Sequence, residues 1–148
     1  MNLETLYRQV IMDHYKRPRN KGLVNDAHYM TIHLNNPSCG DELTVQLEVD
    51  ENKTITDVKH EGSGCSICCS SASVMSETLK GKTLDEAQLI INEFYELIKG
   101  MPYNKDILKG DAIVYQGVSQ FPARIKCATL AWKAVEQGII KQKEETKK

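Results

Sequence analysis

The sequence predicts an α+β domain: an N-terminal helix, then a small three-stranded antiparallel sheet, then helices that cover one face of that sheet. Three observations lead there. Apolar residues recur at helical spacing near the N-terminus, the period changes to two between Thr31 and His60, and helical spacing returns after Gly64.

The first helix rests on Leu3, Leu6, Tyr7, Val10, Ile11, His14 and Tyr15, and Pro18 stops it just after the pair Lys16-Arg17. In the sheet region Ile32/Leu34 and Leu43/Val45/Leu47/Val49 alternate with polar residues, giving two strands. Asp50-Glu51-Asn52-Lys53 reads as the hairpin turn into a third strand, Thr54 to His60. Ile55 and Val58 have opposite parity in that strand, so a bulge, or burial of both faces, is expected there. After Glu61-Gly62-Ser63-Gly64, the spacing of Ile67, Cys68, Ser71, Ala72, Met75 and Leu79 predicts a second helix with Cys65 at its start and Gly81 as its stop. Thr83 and Glu86 form a capping box for a third helix through Ala87, Ile90, Ile91, Phe94 and Leu97, closed by Gly100 and Pro102. Met101 to Pro122 lacks strong periodicity apart from a short helical piece around Asp111 to Gln116, and such a stretch reads as a functional loop or partner surface. A last helix from about Ala123 to Gln137 buries Ile125, Ala128, Trp132 and Val135, with Cys127, Leu130, Ala131 and Ala134 widening its apolar face.

A chain of 148 residues fits one domain, and neither a repeat nor a composition break divides it, so residues 1–148 are expected to fold as one unit with a flexible tail from about 141 to 148. The net charge of -1 gives no field for nucleic acid or an anionic membrane, despite basic clusters at Lys16 to Lys21 and Lys141 to Lys148. No apolar run approaches the roughly 20 residues of a membrane-spanning helix, and the N-terminus lacks a signal-peptide pattern, so a cytosolic protein is expected.

The five cysteines, Cys39, Cys65, Cys68, Cys69 and Cys127, are an odd number, and a reducing compartment keeps thiols for metals or chemistry. Cys39, Cys65 and Cys127 fall at junctions between elements, which can meet at one end of a sheet, and Asp41 follows Cys39 across Gly40. Three thiolates and one carboxylate come near what zinc accepts in tetrahedral geometry. Spacing alone leaves two readings open, because the gaps do not match paired zinc knuckles and free cysteine is usually a small buried hydrophobe. The positive end of a helix dipole at Cys65 suits an anionic ligand. Arg124 stands one helical turn before Cys127, where it meets the charge of such a cluster or is simply solvated, and Lys126 is a further cation nearby. Cys65-x-x-Cys68 formally reads as a redox pair, but no strand-helix-strand unit surrounds it and Cys68 lies on the apolar stripe of its helix. His14, His28, His33 and His60 are single residues without an i, i+4 partner and receive no role.

Four ordered motifs resemble one family. Asp13-His14-Tyr15-Lys16-Arg17-Pro18-Arg19-Asn20, Asn36-Pro37-Ser38-Cys39-Gly40-Asp41, Gly62-Ser63-Gly64-Cys65-Ser66-Ile67 and Arg124-Ile125-Lys126-Cys127-Ala128 are similar to the IscU/NifU N-terminal family of iron-sulfur cluster assembly proteins, over nearly the whole chain. Gly117 to Trp132, with the longer insert before it, resembles the SufU branch of that family. The resemblance implies a SufE/NifU-like fold, a zinc ion on Cys39, Asp41, Cys65 and Cys127, and Cys39 as the thiol that accepts persulfide sulfur from a cysteine desulfurase of the SufS type, with Arg124 stabilising charge at the transferring sulfur. Downstream cluster assembly proteins would follow as partners. IscU proteins carry a histidine directly before the third cysteine where this chain has Lys126, and a protonated lysine is a poor metal ligand, which leaves Asp41 as the fourth ligand. The alternative implied by the same resemblance is a scaffold that assembles a [2Fe-2S] or [4Fe-4S] cluster on the same residues and hands it on.

Overall fold

The structure is a computed structural model that describes residues 3–37 and 40–146. In chain order the elements are α1 (Leu3–Lys16), β1 (Tyr29–Asn36), β2 (Asp41–Val49), β3 (Ile55–Ser63), α2 (Ser66–Leu79), α3 (Leu84–Ile98), a 3-10 segment (Gly110–Gln120) and α4 (Pro122–Thr146). The strands form one antiparallel meander in the order β1-β2-β3, and the helices pack on it, so the α+β architecture is as expected.

Period-two burial sets the sheet. Leu43, Val45 and Leu47 of β2 are buried with Ile32 of β1 and with Ile55 and Val58 of β3. Asp41 shares the parity of Leu43, so the strand aims its carboxylate at the same helix-covered face. The expected irregularity in β3 is present: Glu48 pairs Asp57 while Val49 pairs Ile55, and the extra residue, Thr56, lets Ile55 and Val58 both reach the core. The hairpin before β3 closes as read, with the Asp50 carboxylate accepting from the backbone N–H groups of Asn52 and Thr54 and Lys53 in the left-handed region at φ 62°.

Two helix faces differ from the expectation. Among the described side chains of α1, which leave out the expected Leu3, Ile11 and His14 are buried and Tyr7 and Val10 half-buried, while Leu6 and Tyr15 are 38% and 47% exposed. The apolar stripe of α1 is thus narrower than its composition suggests. Helix α4 continues past Gln137 to Thr146, because Ile139 extends the buried stripe by another turn. The capping box of α3 forms, Thr83 Oγ1 accepting from the Glu86 N–H at 3.1 Å and Glu86 accepting from the Thr83 N–H at 3.0 Å.

Helix α2 runs through the middle of the helical layer, and its buried residues include Ser70, Ser71, Ser73 and Ser76. Small side chains let neighbouring helices approach, and each hydroxyl then needs a partner. Ser71 Oγ donates to the Ala128 carbonyl at 2.6 Å and accepts from the Trp132 indole N–H at 2.9 Å; Ser70 Oγ lies 2.7 Å from Tyr115 Oη. Trp132 stacks on Phe94 with ring centroids 4.0 Å apart, which ties α4 to α3.

Of the stretch from Met101 to Pro122, residues 101–106 are a mostly exposed loop as expected, while the part holding the expected helical piece belongs to the core. Ala112, Val114, Tyr115 and Val118 of the 3-10 segment are buried, and Ala112, Tyr115 and Val118 are three residues apart, which lines them up on a helix of 3.0 residues per turn. Among the described residues no helix is long and apolar enough to cross a membrane.

Candidate metal centre

Three elements meet at one end of the sheet. Asp41 opens β2, Cys65 is the residue preceding the first turn of α2, and Cys127 lies in the second turn of α4. Asp41 and Cys127 are buried and Cys65 is half-buried. The Cys65 N–H donates to Asp41 Oδ1 at 3.0 Å, and the Cys65 sulfur stands 4.0 Å from Asp41 Oδ2. The carboxylate thereby caps α2 from outside, since Cys65 makes no side-chain cap of its own. One ligand atom from each of Asp41, Cys65 and Cys127 lies within 4.8 Å of the others.

Glycine makes room for this arrangement. A Cβ on Gly64 would overlap the Asp41 carboxylate, and one on Gly62 would strike the backbone of Glu42 and Leu43, so the β3-to-α2 turn needs both residues bare. Gly40 holds φ 71° and its N–H donates to the Asn36 carbonyl at 3.0 Å, closing the β1–β2 hairpin beside Asp41. Cys39, the expected sulfur acceptor and fourth ligand, lies outside the described residues.

The site carries a cation. The negative charge of Cys65 first, then a hydrogen bond to its side chain, then the charge of Cys127 raise the pKa of the Arg124 guanidinium, placing it against both sulfurs from the first turn of α4. Of the residues expected from sequence, Asp41, Cys65, Cys127 and Arg124 are therefore together. Cys68 is 1% exposed in the core, as its place on the apolar stripe implied.

Two neighbours escaped sequence reasoning. Tyr7 of α1 feels both Arg124 and Cys65: burial raises its pKa, Arg124 opposes this and Cys65 adds to it. Nothing in the sequence places α1 against α4, so no local signal marks Tyr7. Cys69 lies one turn beyond Cys65, its thiol reaching the Gly64 carbonyl at 3.7 Å, and burial followed by the charge of Cys65 raises its pKa. The i, i+4 spacing of Cys65 and Cys69 was a usable signal, because such residues share a helix face.

The family model of the NifU-like N terminal domain matches residues 6–148. The chain belongs to the NifU-like N-terminal family. Within that family it is 50% identical over 141 residues to the zinc-dependent sulfurtransferase SufU of Bacillus subtilis (strain 168), covering 95% of this chain and 94% of the relative. It is 39% identical over 139 residues to the iron-sulfur cluster assembly scaffold protein IscU of Streptococcus pyogenes serotype M1, covering 93% and 84%. A crystal structure reported for an iron-sulfur cluster assembly scaffold protein of the SUF system from Fervidobacterium islandicum AW-1 superposes with a TM-score of 0.75 at 34% identity, covering 90% of this chain and 96% of that one. In this NifU-like N-terminal domain the motifs read from sequence are the segments that supply Asp41, Cys65 and Cys127 to the common point.

Proposed function

We propose that the chain is a zinc-dependent sulfurtransferase of iron-sulfur cluster assembly that accepts persulfide sulfur from a SufS-type cysteine desulfurase on Cys39 in the cytosol. The observation that carries this reading is the convergence of the Asp41, Cys65 and Cys127 donor atoms, within 4.8 Å of one another, beside the Arg124 guanidinium. The likeness to the Bacillus subtilis sulfurtransferase supports it.

The donor set fits zinc. Two sulfurs and a carboxylate are ligands that zinc takes in tetrahedral sites, the carboxylate is buried, and Gly64 leaves space for it. Asp41, Cys65 and Cys127 would hold the ion, with Cys39, two residues before Asp41, completing the shell. Zinc bound there keeps the cysteine ligands deprotonated near neutral pH. Arg124 offsets part of the negative charge that four anionic ligands bring. The Asp41 hydrogen bond to the Cys65 N–H orients the carboxylate, which leaves Oδ2 for the metal.

Sulfur transfer then balances without an external oxidant. The Cys39 thiolate attacks the outer sulfur of the desulfurase persulfide, a new S–S bond forms on Cys39, and the enzyme's cysteine leaves as a thiolate. Arg124 would stabilise the negative charge at the transferring sulfur. The test is desulfurase turnover of cysteine with and without this protein. Stimulation by the wild type and its loss in Cys39→Ala are expected; full stimulation by Cys39→Ala would exclude Cys39 as acceptor.

A second reading, favoured by the 39% identity to the Streptococcus pyogenes scaffold, takes an iron-sulfur cluster as cargo on the same residues before it is handed to downstream assembly proteins. Anaerobic reconstitution with iron and sulfide separates the two. Retained zinc supports the sulfurtransferase, whereas a stable brown protein that delivers its cluster supports the scaffold.

A further inference from the structure

His14, Glu77 and Asp111 form a second group of metal-ligating side chains, gathered at the C-terminal end of α2, whose N-terminal end carries Cys65. Each comes from a different element: His14 from the end of α1, Glu77 from the last turn of α2, and Asp111 from the start of the 3-10 segment. His14 Nε2 stands 2.8 Å from Asp111 Oδ2 and 3.7 Å from Glu77 Oε1, and one donor atom from each residue lies within 4.8 Å of the others. Ligand atoms at about 2.0–2.2 Å from a common ion are separated by about 3 Å or a little more, so these spacings need only a small adjustment to share one.

We propose that His14, Glu77 and Asp111 bind a first-row divalent cation of the Mn²⁺ or Fe²⁺ class. The arrangement is built as metal sites are. The imidazole is 0% exposed and forms the floor, while the two carboxylates are about half exposed at the rim. Both carboxylates also line a groove of about 670 Å³ between α2, α3 and the 3-10 segment, which gives a hydrated ion its approach. The ring is fixed from behind: His14 Nδ1 is 2.7 Å from Ser73 Oγ, and Ser73 Oγ also accepts from the Arg19 N–H at 2.8 Å. A hydrogen bond at one ring nitrogen sets which nitrogen faces a metal, and here Nε2 faces the carboxylates.

Charge points the same way. Arg17 and Arg19 both hold Asp13, at 2.9 and 2.7 Å, and Arg19 reaches Glu77 only at 3.5 Å, so the acids Asp13, Glu77 and Asp111 outnumber the two guanidiniums by one. A cation held by the triad offsets that excess. One imidazole with two carboxylates is a harder set than the thiolates at the other end of α2, so it takes Mn²⁺ or Fe²⁺ more readily than that site does. The sequence reading gave His14 no role, because its partners lie far away in the chain.

The test uses the full chain. Total metal is counted first, so that an ion already held by this triad registers as a second equivalent, and Mn²⁺ is then titrated against zinc-loaded protein by the electron paramagnetic resonance signal of free Mn²⁺. One equivalent beyond zinc is expected, weakened about tenfold or more in Asp111→Asn and in Glu77→Gln and retained in Cys65→Ser. Circular dichroism confirms that the carboxylate variants are folded. Absence of a second equivalent in the wild type overturns the proposal and leaves His14 as a donor of a plain hydrogen bond to Asp111. Binding that survives both carboxylate variants, or that disappears with Cys65→Ser, overturns it equally.

Discussion

Asp41 does two jobs with one carboxylate: Oδ1 accepts from the Cys65 N–H and Oδ2 faces the Cys65 sulfur. Gly64 is what lets it sit there, since any side chain at that position would displace it. Gly64→Ala is therefore expected to weaken zinc binding by about tenfold or more, which corresponds to about 1.4 kcal/mol, measured by competition with a chromogenic chelator. Arg124 acts by charge rather than by filling the shell. Arg124→Ala is expected to leave zinc stoichiometry intact and to lower the rate of sulfur acceptance from the desulfurase by about tenfold, with Arg124→Lys recovering part of it. At this scale the sequence was informative where a motif carried several residues together, as at Gly62 to Cys65 and at Arg124 to Cys127. Tyr7 and the His14 group were illegible for the opposite reason: their partners, Arg124 for the one and Glu77 and Asp111 for the other, come from distant segments, and only tertiary packing joins them.

Helix α2 shows how an element can look surface-like and yet be central. Its serines would suggest a solvated face, but Ser70, Ser71, Ser73 and Ser76 are all 0% exposed, each satisfied by a neighbouring element or by the preceding turn. Ser71→Ala leaves the buried Trp132 N–H without its acceptor and is expected to cost about 1–3 kcal/mol, read as a lower urea midpoint at unchanged slope. The alternation in β2 and the capping box of α3 were readable because a period of two and a paired cap are local signals. The 3-10 segment was legible only as a short helical piece around Asp111 to Gln116, because its buried residues follow a spacing of three, which matches neither the helix nor the strand template. The end of α4 was placed short because Gly138 interrupts the pattern, although the missing side chain there lets the helix lie against Ile32 and Leu47.

For the whole molecule, acid sensitivity follows from one buried histidine in β3. Burial lowers the pKa of His60 below its ordinary 6.5, and its Nε2–H donates to the Arg19 carbonyl at 2.8 Å. The unfolded chain thus takes up a proton that the folded chain refuses. The stability from His60 is complete above its ordinary pKa and is lost as the pH falls below it. Hydrogen-bonded carboxylates such as Asp13 and Glu86, whose pKa values are lowered, lose their contribution only at more acid pH. The melting temperature is expected to fall from about pH 7 to about pH 5.5, and to fall less in His60→Gln, whose amide can keep the bond to Arg19. The same packing that buries His60 brings β2, α2 and α4 together at the thiolate end of the sheet, and zinc coordination there is the claim on which the proposed chemistry depends. X-ray absorption at the zinc edge of reduced, purified protein tests it most directly. The expected shell holds three sulfurs at about 2.3 Å and one oxygen at about 2.0–2.2 Å, with the oxygen lost in Asp41→Ala. A shell dominated by nitrogen and oxygen, or protein purified without stoichiometric metal, would contradict it.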